Sequence, residues 1–229
     1  DIAMPYGDGA RETLDLIWPD IPAKGLAVFV HGGYWKATDP SFWSHYAEGA
    51  RAQGWVVCLP GYTLAPQARI SEMTRQIARA ITHAADLIPG PIRLAGHSAG
   101  GHLVSRMCCD DSPLAHNVWS RVGHTLSISG LHDLRPVMMT EMNEILGLDH
   151  KEAEQESAVL HAPRTGTAIT TWVGGGERPE FQRQAQMLDL VWKGLQIQSN
   201  CVIDAEHNHF SVLEGLRDPH SPITQAFVS

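Results

Sequence analysis

"IRLAGHSAGGHLVSRMCC", Ile92 to Cys109, opens as a short apolar run of strand length and closes as a helix-like segment. Between the two, Gly96, His97, Ser98, Ala99 and Gly100 spell GxSxG. A strand that turns straight into a helix through a serine forces that serine into strained backbone geometry, so its neighbours must be nearly free of side chains. Gly96, Gly100 and Gly101 meet that demand, the last two letting the helix approach its neighbour closely. An idle serine in a glycine-rich turn is the plain alternative; motif and context together favour a nucleophile at Ser98.

Outward from this stretch, strand-sized apolar runs recur at 26–30 (LAVFV), 55–59 (WVVCL), 125–129 (TLSIS), 168–173 (AITTWV) and 201–203 (CVI). Several read as buried on both faces, as strands of a parallel sheet are. "TLDLIW", Thr13 to Trp18, instead alternates apolar and polar residues before Pro19 and reads as an antiparallel edge. Helical segments separate the strands. "DPSFWSHYAEGARAQG" offers Asp39 as N-cap, Pro40 at the first position and Gly54 past the end. From Ile70 to Ile88, residues Ile70, Met73, Ile77, Ile81, Ala84 and Ile88 share one face, and over 180–193 Phe181, Ala185, Leu188 and Trp192 do the same, with Gly194 following. The alternation predicts an α/β fold, a mostly parallel doubly wound sheet flanked by helices, with residues 1–229 as a single domain and no large cap.

The formal charge of -8, with only 17 Lys and Arg, argues against a nucleic-acid surface, which needs clustered cations for phosphates, and points to small-molecule ligands. The apolar runs fall far short of the roughly 20 residues that span a bilayer, so no membrane partner is expected. Cys58, Cys108, Cys109 and Cys201 lack metal spacing, and the adjacent pair suits no disulfide framework. Reduced thiols and a cytoplasmic location are the expectation. The chain starts at Asp1 without initiator Met or leader pattern, and the start reads as a trimmed one.

A hydroxyl nucleophile requires a base. "AEHNHFSVLEG" after the last strand offers His207 and His209, of which His209, followed by Phe210, is taken as the base; no third ligand makes the pair a metal site. The orienting carboxylate is expected between serine and histidine in chain order, and "TWVGGGERPEF" supplies Glu177 nearest the strand end, with Glu180 three residues on and Asp204 and Asp133 as weaker rivals. "FVHGGYW" supplies main-chain N–H groups for an oxyanion hole from Gly32, Gly33 and Tyr34, together with that of Ala99, while His31 braces the loop. No metal or organic cofactor is implied.

"HGGYW", "GHSAGGHL", "LHDLRP", "ERPEF" and "HFSVLE", in this order, resemble the kynurenine formamidase (arylformamidase) branch of the α/β-hydrolases, and "YTLAP" at Tyr62 to Pro66 is shared with the neighbouring hormone-sensitive-lipase-like carboxylesterases. The resemblance implies an α/β-hydrolase fold and a triad of serine, aspartate and histidine, which falls on Ser98, the Glu177 position and His209. The acid departs from that pattern by one methylene. An N-terminal segment often roofs the pocket in this family, and little of it is seen here.

Tyr34 and Trp35, beside the expected oxyanion hole, are the pocket candidates for an aryl or flat acyl substrate. The connection 131–167, with the helix-like "RPVMMTEMNEIL", reads as a small lid. Arg135 and Arg178 are the motif-linked cations available to a substrate carboxylate. The reading is a serine hydrolase of aryl formamides or short acyl esters, against a short-chain carboxylesterase without formamidase activity and, from another class, a non-catalytic binding protein on the same scaffold. Homo-oligomerisation stays open.

Overall fold

Residues alternate along a strand between its two sides, so a strand apolar at every position must be covered on both. That is how Leu26–Val30 and Val56–Pro60 sit, with every residue buried. The computed structural model describes residues 3–229. Its strands are β1 (Met4–Pro5), β2 (Thr13–Ile17), β3 (Leu26–Val30), β4 (Val56–Pro60), β5 (Ile92–His97), β6 (Val122–Ile128), β7 (Ala168–Gly174) and β8 (Gln198–Asp204). They form one sheet in the order β1-β2-β4-β3-β5-β6-β7-β8, in which the pairs β1–β2 and β2–β4 are antiparallel and all the others parallel.

The α-helices are α1 (Glu48–Ala52), α2 (Ile70–Leu87), α3 (Ala99–Met107), α4 (His116–Trp119), α5 (Arg135–Met138), α6 (Asn143–Leu146), α7 (His150–Gln155), α8 (Pro179–Gly194) and α9 (Pro222–Val228). They divide between the two faces. Leu26, Val28 and Val30 of β3 pack with Ile77 and Ile81 of α2, Leu103 of α3 and Trp192 of α8. The intervening Ala27 and Phe29 pack on the opposite side with Tyr46, Leu213 and Phe227. The doubly wound arrangement predicted from the sequence is therefore realised residue by residue.

Four expectations change in detail. β2 is antiparallel but is not the edge: β1 pairs outside it through Met4↔Leu14 and Pro5↔Thr13, a strand too short to show alternation. β8 begins three residues before Cys201, at the polar Gln198, Ser199 and Asn200, because it pairs only with β7 and its other side faces solvent. The helix expected from Asp39 is 3-10 over Pro40–Ala47 before α1. That tighter pitch sets Trp43 and Tyr46, three apart, on one side, where both meet Phe29 at centroid distances of 6.3 and 6.5 Å. "RPVMMTEMNEIL" breaks into α5 and α6, with the Thr140 hydroxyl donating to the Val137 carbonyl at 2.7 Å and ending the first turn.

The connection 131–167, expected as a lid, is anchored instead. Leu131, Leu134, Val137, Leu146, Leu148, Ala153 and Ala158 belong to the core under α2 and α3. Arg69, just before α2, pairs with Glu152 of α7 and with Asp149, and Glu152 also accepts the Ser71 N–H at 3.0 Å. Among the described residues, no helix is long and apolar enough to cross a membrane.

Candidate active site

β5 lies in the middle of the sheet, hydrogen-bonded to β3 and β6, and Ser98 follows its last residue. The serine has φ 54° and ψ −113°, the strained turn expected of the GxSxG pattern. Its neighbours show why they are glycines. A Cβ on Gly100 would lie 2.0 Å from the Val30 carbonyl oxygen, and one on Gly96 would lie 2.3 Å from that of Gly100. The Ser98 N–H donates to the Ile128 carbonyl at 2.8 Å, fixing the turn to the end of β6.

Two strands away, Gly174, Gly175 and Gly176 lie flat on the loop after β8. The Gly175 N–H donates to Asp204 at 2.7 Å and the Gly176 N–H to His207 at 2.9 Å, and a Cβ on Gly174 would strike the His207 carbonyl at 2.4 Å. This seam brings Glu177 against His209. Glu177 Oε2 lies 2.6 Å from His209 Nδ1, and the glutamate side chain has no exposed surface. Its other oxygen, Oε1, accepts from the Ser129 hydroxyl at 2.6 Å and from the Gly174 N–H at 2.8 Å. A carboxylate so held can orient an imidazole and favour its cation, leaving the far ring nitrogen, Nε2, for a proton.

The rivals for these places are occupied elsewhere. Glu180 pairs with Arg183 at 2.7 Å, Asp133 binds Arg135 through both oxygens at 2.8 and 2.9 Å, and Asp204 accepts from the Trp172 indole at 3.3 Å. His207 stands 3.9 Å from Asp204 and 3.3 Å from the Ser211 hydroxyl, not against Glu177. The Ser98 hydroxyl makes no hydrogen bond to His209 among the described residues, although the two segments touch through His97. Such contacts commonly tighten only when substrate is bound.

The loop after β3 carries left-handed backbone at Gly33 (φ 112°), Tyr34 (φ 54°) and Trp35 (φ 57°). The N–H groups of Gly33, Tyr34 and Ala99 meet no acceptor among the described residues, so they are free for an oxyanion. His31 supports this loop: its Nδ1 lies 2.7 Å from the Gly32 carbonyl oxygen, and its ring stacks on Tyr62 at 4.5 Å. Burial pushes its pKa down to about 4, so it is neutral and braces without titrating.

A cavity of about 340 Å3 opens beside His209, lined by Tyr34, Gly176, Glu177, Arg178, Phe181, Asn208, His209 and Phe210. The expectation for Tyr34 as a lining residue agrees with this. That for Trp35 does not: Trp35 is 0% exposed, its indole N–H directed at His102 Nδ1 at 3.3 Å, because the left-handed turn swings it into the core. Arg178 lines the cavity, whereas Arg135 is held by Asp133. No residue of 131–167 lines it. A larger hollow, about 460 Å3, lies on the outer side of α2 around Tyr6, Arg79 and His83, away from Ser98 and His209, and has no part in the arrangement described. Sequence reasoning missed Ser129, Phe181 (4.3 Å from His209, centroid to centroid) and the contact of His97 with the histidine loop.

A family model described as alpha/beta hydrolase fold matches residues 27–193. A kynurenine formamidase from Danio rerio is 29% identical over 234 residues, covering 97% of this chain and 78% of that one. The crystal structure of a candidate thioesterase from Silicibacter sp. TM1040 superposes with a TM-score of 0.95 at 46% identity, covering 100% of this chain and 85% of that one. Esterase 2 of Thermogutta terrifontis superposes with a TM-score of 0.73 at 17% identity over 91% and 84% of the two chains, a likeness of fold.

Proposed function

The chain belongs to the alpha/beta hydrolase fold family and is a hydrolase, and from that premise we propose that it cleaves aryl formamides of the N-formylkynurenine kind or short acyl esters through an acyl-enzyme on Ser98. The observation that carries the reading is the 2.6 Å contact of buried Glu177 with His209 on the loop bonded to the residue before Ser98. In the proposed cycle His209 Nε2 takes the Ser98 proton as the hydroxyl oxygen attacks the carbonyl carbon. Glu177 stabilises the resulting imidazolium. The N–H groups of Gly33 or Tyr34 and of Ala99 hold the oxyanion, and His209 then returns the proton to the leaving nitrogen or oxygen. Water repeats the sequence on the acyl-enzyme.

The cavity supports small, flat substrates. Its volume of about 340 Å3 is at the low end for ligand sites, and Tyr34, Phe181 and Phe210 offer aromatic faces to an aryl group. Arg178 is there to meet a carboxylate. These features favour a formamide with an amino-acid side arm over a long acyl chain, so acetyl and propionyl esters turn over faster than octanoyl. The likeness to a candidate thioesterase at 46% identity supports a second reading, short acyl thioesters, through the same acyl-enzyme.

The test is kcat/KM for N-formylkynurenine, p-nitrophenyl acetate and a short acyl thioester on one preparation, beside Ser98→Ala. Turnover of the formamide that Ser98→Ala abolishes is the expected result. Ester or thioester cleavage with an inert formamide removes the formamidase reading, and full activity in Ser98→Ala removes the nucleophile.

A further inference from the structure

His97, between Gly96 and the serine, is 1% exposed and does none of the proton chemistry proposed above. Its Nε2 lies 2.8 Å from the main-chain carbonyl oxygen of His209. A carbonyl only accepts, so Nε2 carries the hydrogen and Nδ1 is a bare lone pair. That Nδ1 is buried and has no partner. It faces Gly32: a Cβ there would lie 3.0 Å from it, 2.9 Å from the His97 carbonyl oxygen and 3.3 Å from Ser98 Cβ. The ring also sits 4.6 Å from that of His209 and 5.4 Å from that of Trp43, centroid to centroid. One imidazole thus touches the serine turn, the loop of the base and the loop of the free amides.

We infer that His97 is a positioning residue, whose Nε2–H holds the His209 main chain at the height where the imidazole can reach the serine and whose ring sets the distance to the Gly32 loop. The inference rests on the serine-hydrolase reading. Burial first, then the neighbouring His209, push the His97 pKa down to about 3, so the ring stays neutral beside a base that becomes a cation during the reaction. A second cation 4.6 Å away would oppose that step. A hydrophobic ring would fill the same space without leaving a buried nitrogen unpaired, and packing alone therefore gives no reason for histidine here.

The test separates anchoring from packing. His97→Phe keeps the ring and loses the donor; His97→Gln keeps an N–H at about the reach of Nε2. With Ser98→Ala inactive, His97→Phe, which removes the unpaired Nδ1 but strands the His209 carbonyl, is expected to melt within about 5 °C of the parent, with kcat lower by about 10- to 100-fold and KM within about threefold. His97→Gln recovers most of that loss. If His97→Phe fails to fold, His97→Leu, equally without a donor, takes its place in the comparison. Parent kcat in the donor-less variant, or His97→Gln no faster than it, overturns the inference; activity retained in Ser98→Ala overturns the reading beneath it.

Discussion

Glu177 spends one oxygen on the Ser129 hydroxyl and the Gly174 N–H and the other on His209, so both oxygens are held in place by these contacts. Glu177→Gln keeps the shape but cannot stabilise an imidazolium, and kcat should fall by about 10^3- to 10^4-fold. Glu180→Gln, which disturbs a partly exposed pair with Arg183 and one hydrogen bond from the Gln184 amide but nothing at His209, should leave kcat within about twofold. Equal mild effects in steady-state kinetics would move the acid elsewhere. Glu177→Asp should be slow, because the shorter side chain cannot keep both contacts. The strained turn at Ser98 and the meeting of Glu177 with His209 were legible in the sequence because each segment follows an apolar run, and the end of a strand is where a sheet of this kind presents its groups. Ser129 was not: its partner lies 48 positions away, across the end of β6 and β7, and only the sheet order makes them neighbours. Trp35 misled because an aromatic after two glycines gives no sign of the left-handed backbone that turns it inward.

At the scale of elements, the join between β5 and α3 tolerates no added atom. Gly100→Ala would drive a methyl to within 2.0 Å of the Val30 carbonyl oxygen. A loss of about 3 kcal/mol or more is expected, read as a fall in Tm of about 6 to 12 °C. Gly194 is the contrast, ending α8 with nothing near the place of a Cβ. Gly194→Ala should raise stability by up to about 1 kcal/mol, since helix propensity then acts alone. If both variants melt with the parent, steric exclusion at the turn is not what fixes Gly100. The long, regularly periodic α2 and α8 and the short strands β2, β3, β4 and β7 matched their predicted bounds within two residues, whereas β6, β8 and the helical segments at 39–54 and 135–146 did not. The 3-10 segment before α1 and the break between α5 and α6 are set by aromatic contacts and by one threonine hydroxyl, which a period of 3.6 does not encode.

For the whole molecule, pH acts through histidines held neutral in the interior. His31, His97, His102 and His132 are each at most 1% exposed, and burial lowers their pKa values to about 4, 3, 3 and 3. In the unfolded chain each takes up a proton below about 6.5 while the folded chain does not. Their neutral burial therefore favours the native state above pH 6.5 and loses ground as pH falls toward the folded values, by up to about 1.4 kcal/mol per group per pH unit. Glu156 and Asp15, whose pKa values burial raises, oppose this but are two groups against four. Thermal melts should lose about 10 °C or more between pH 7 and pH 5; a flat Tm over that span would contradict the account. Trp35 adds a further consequence. Its indole is rooted in the core while its own backbone forms the turn that presents the free amides of Gly33 and Tyr34. In a mutational library scored separately for folding and for turnover, substitutions at Trp35 would therefore land in both columns at once, and no selection could trade one property against the other at that position.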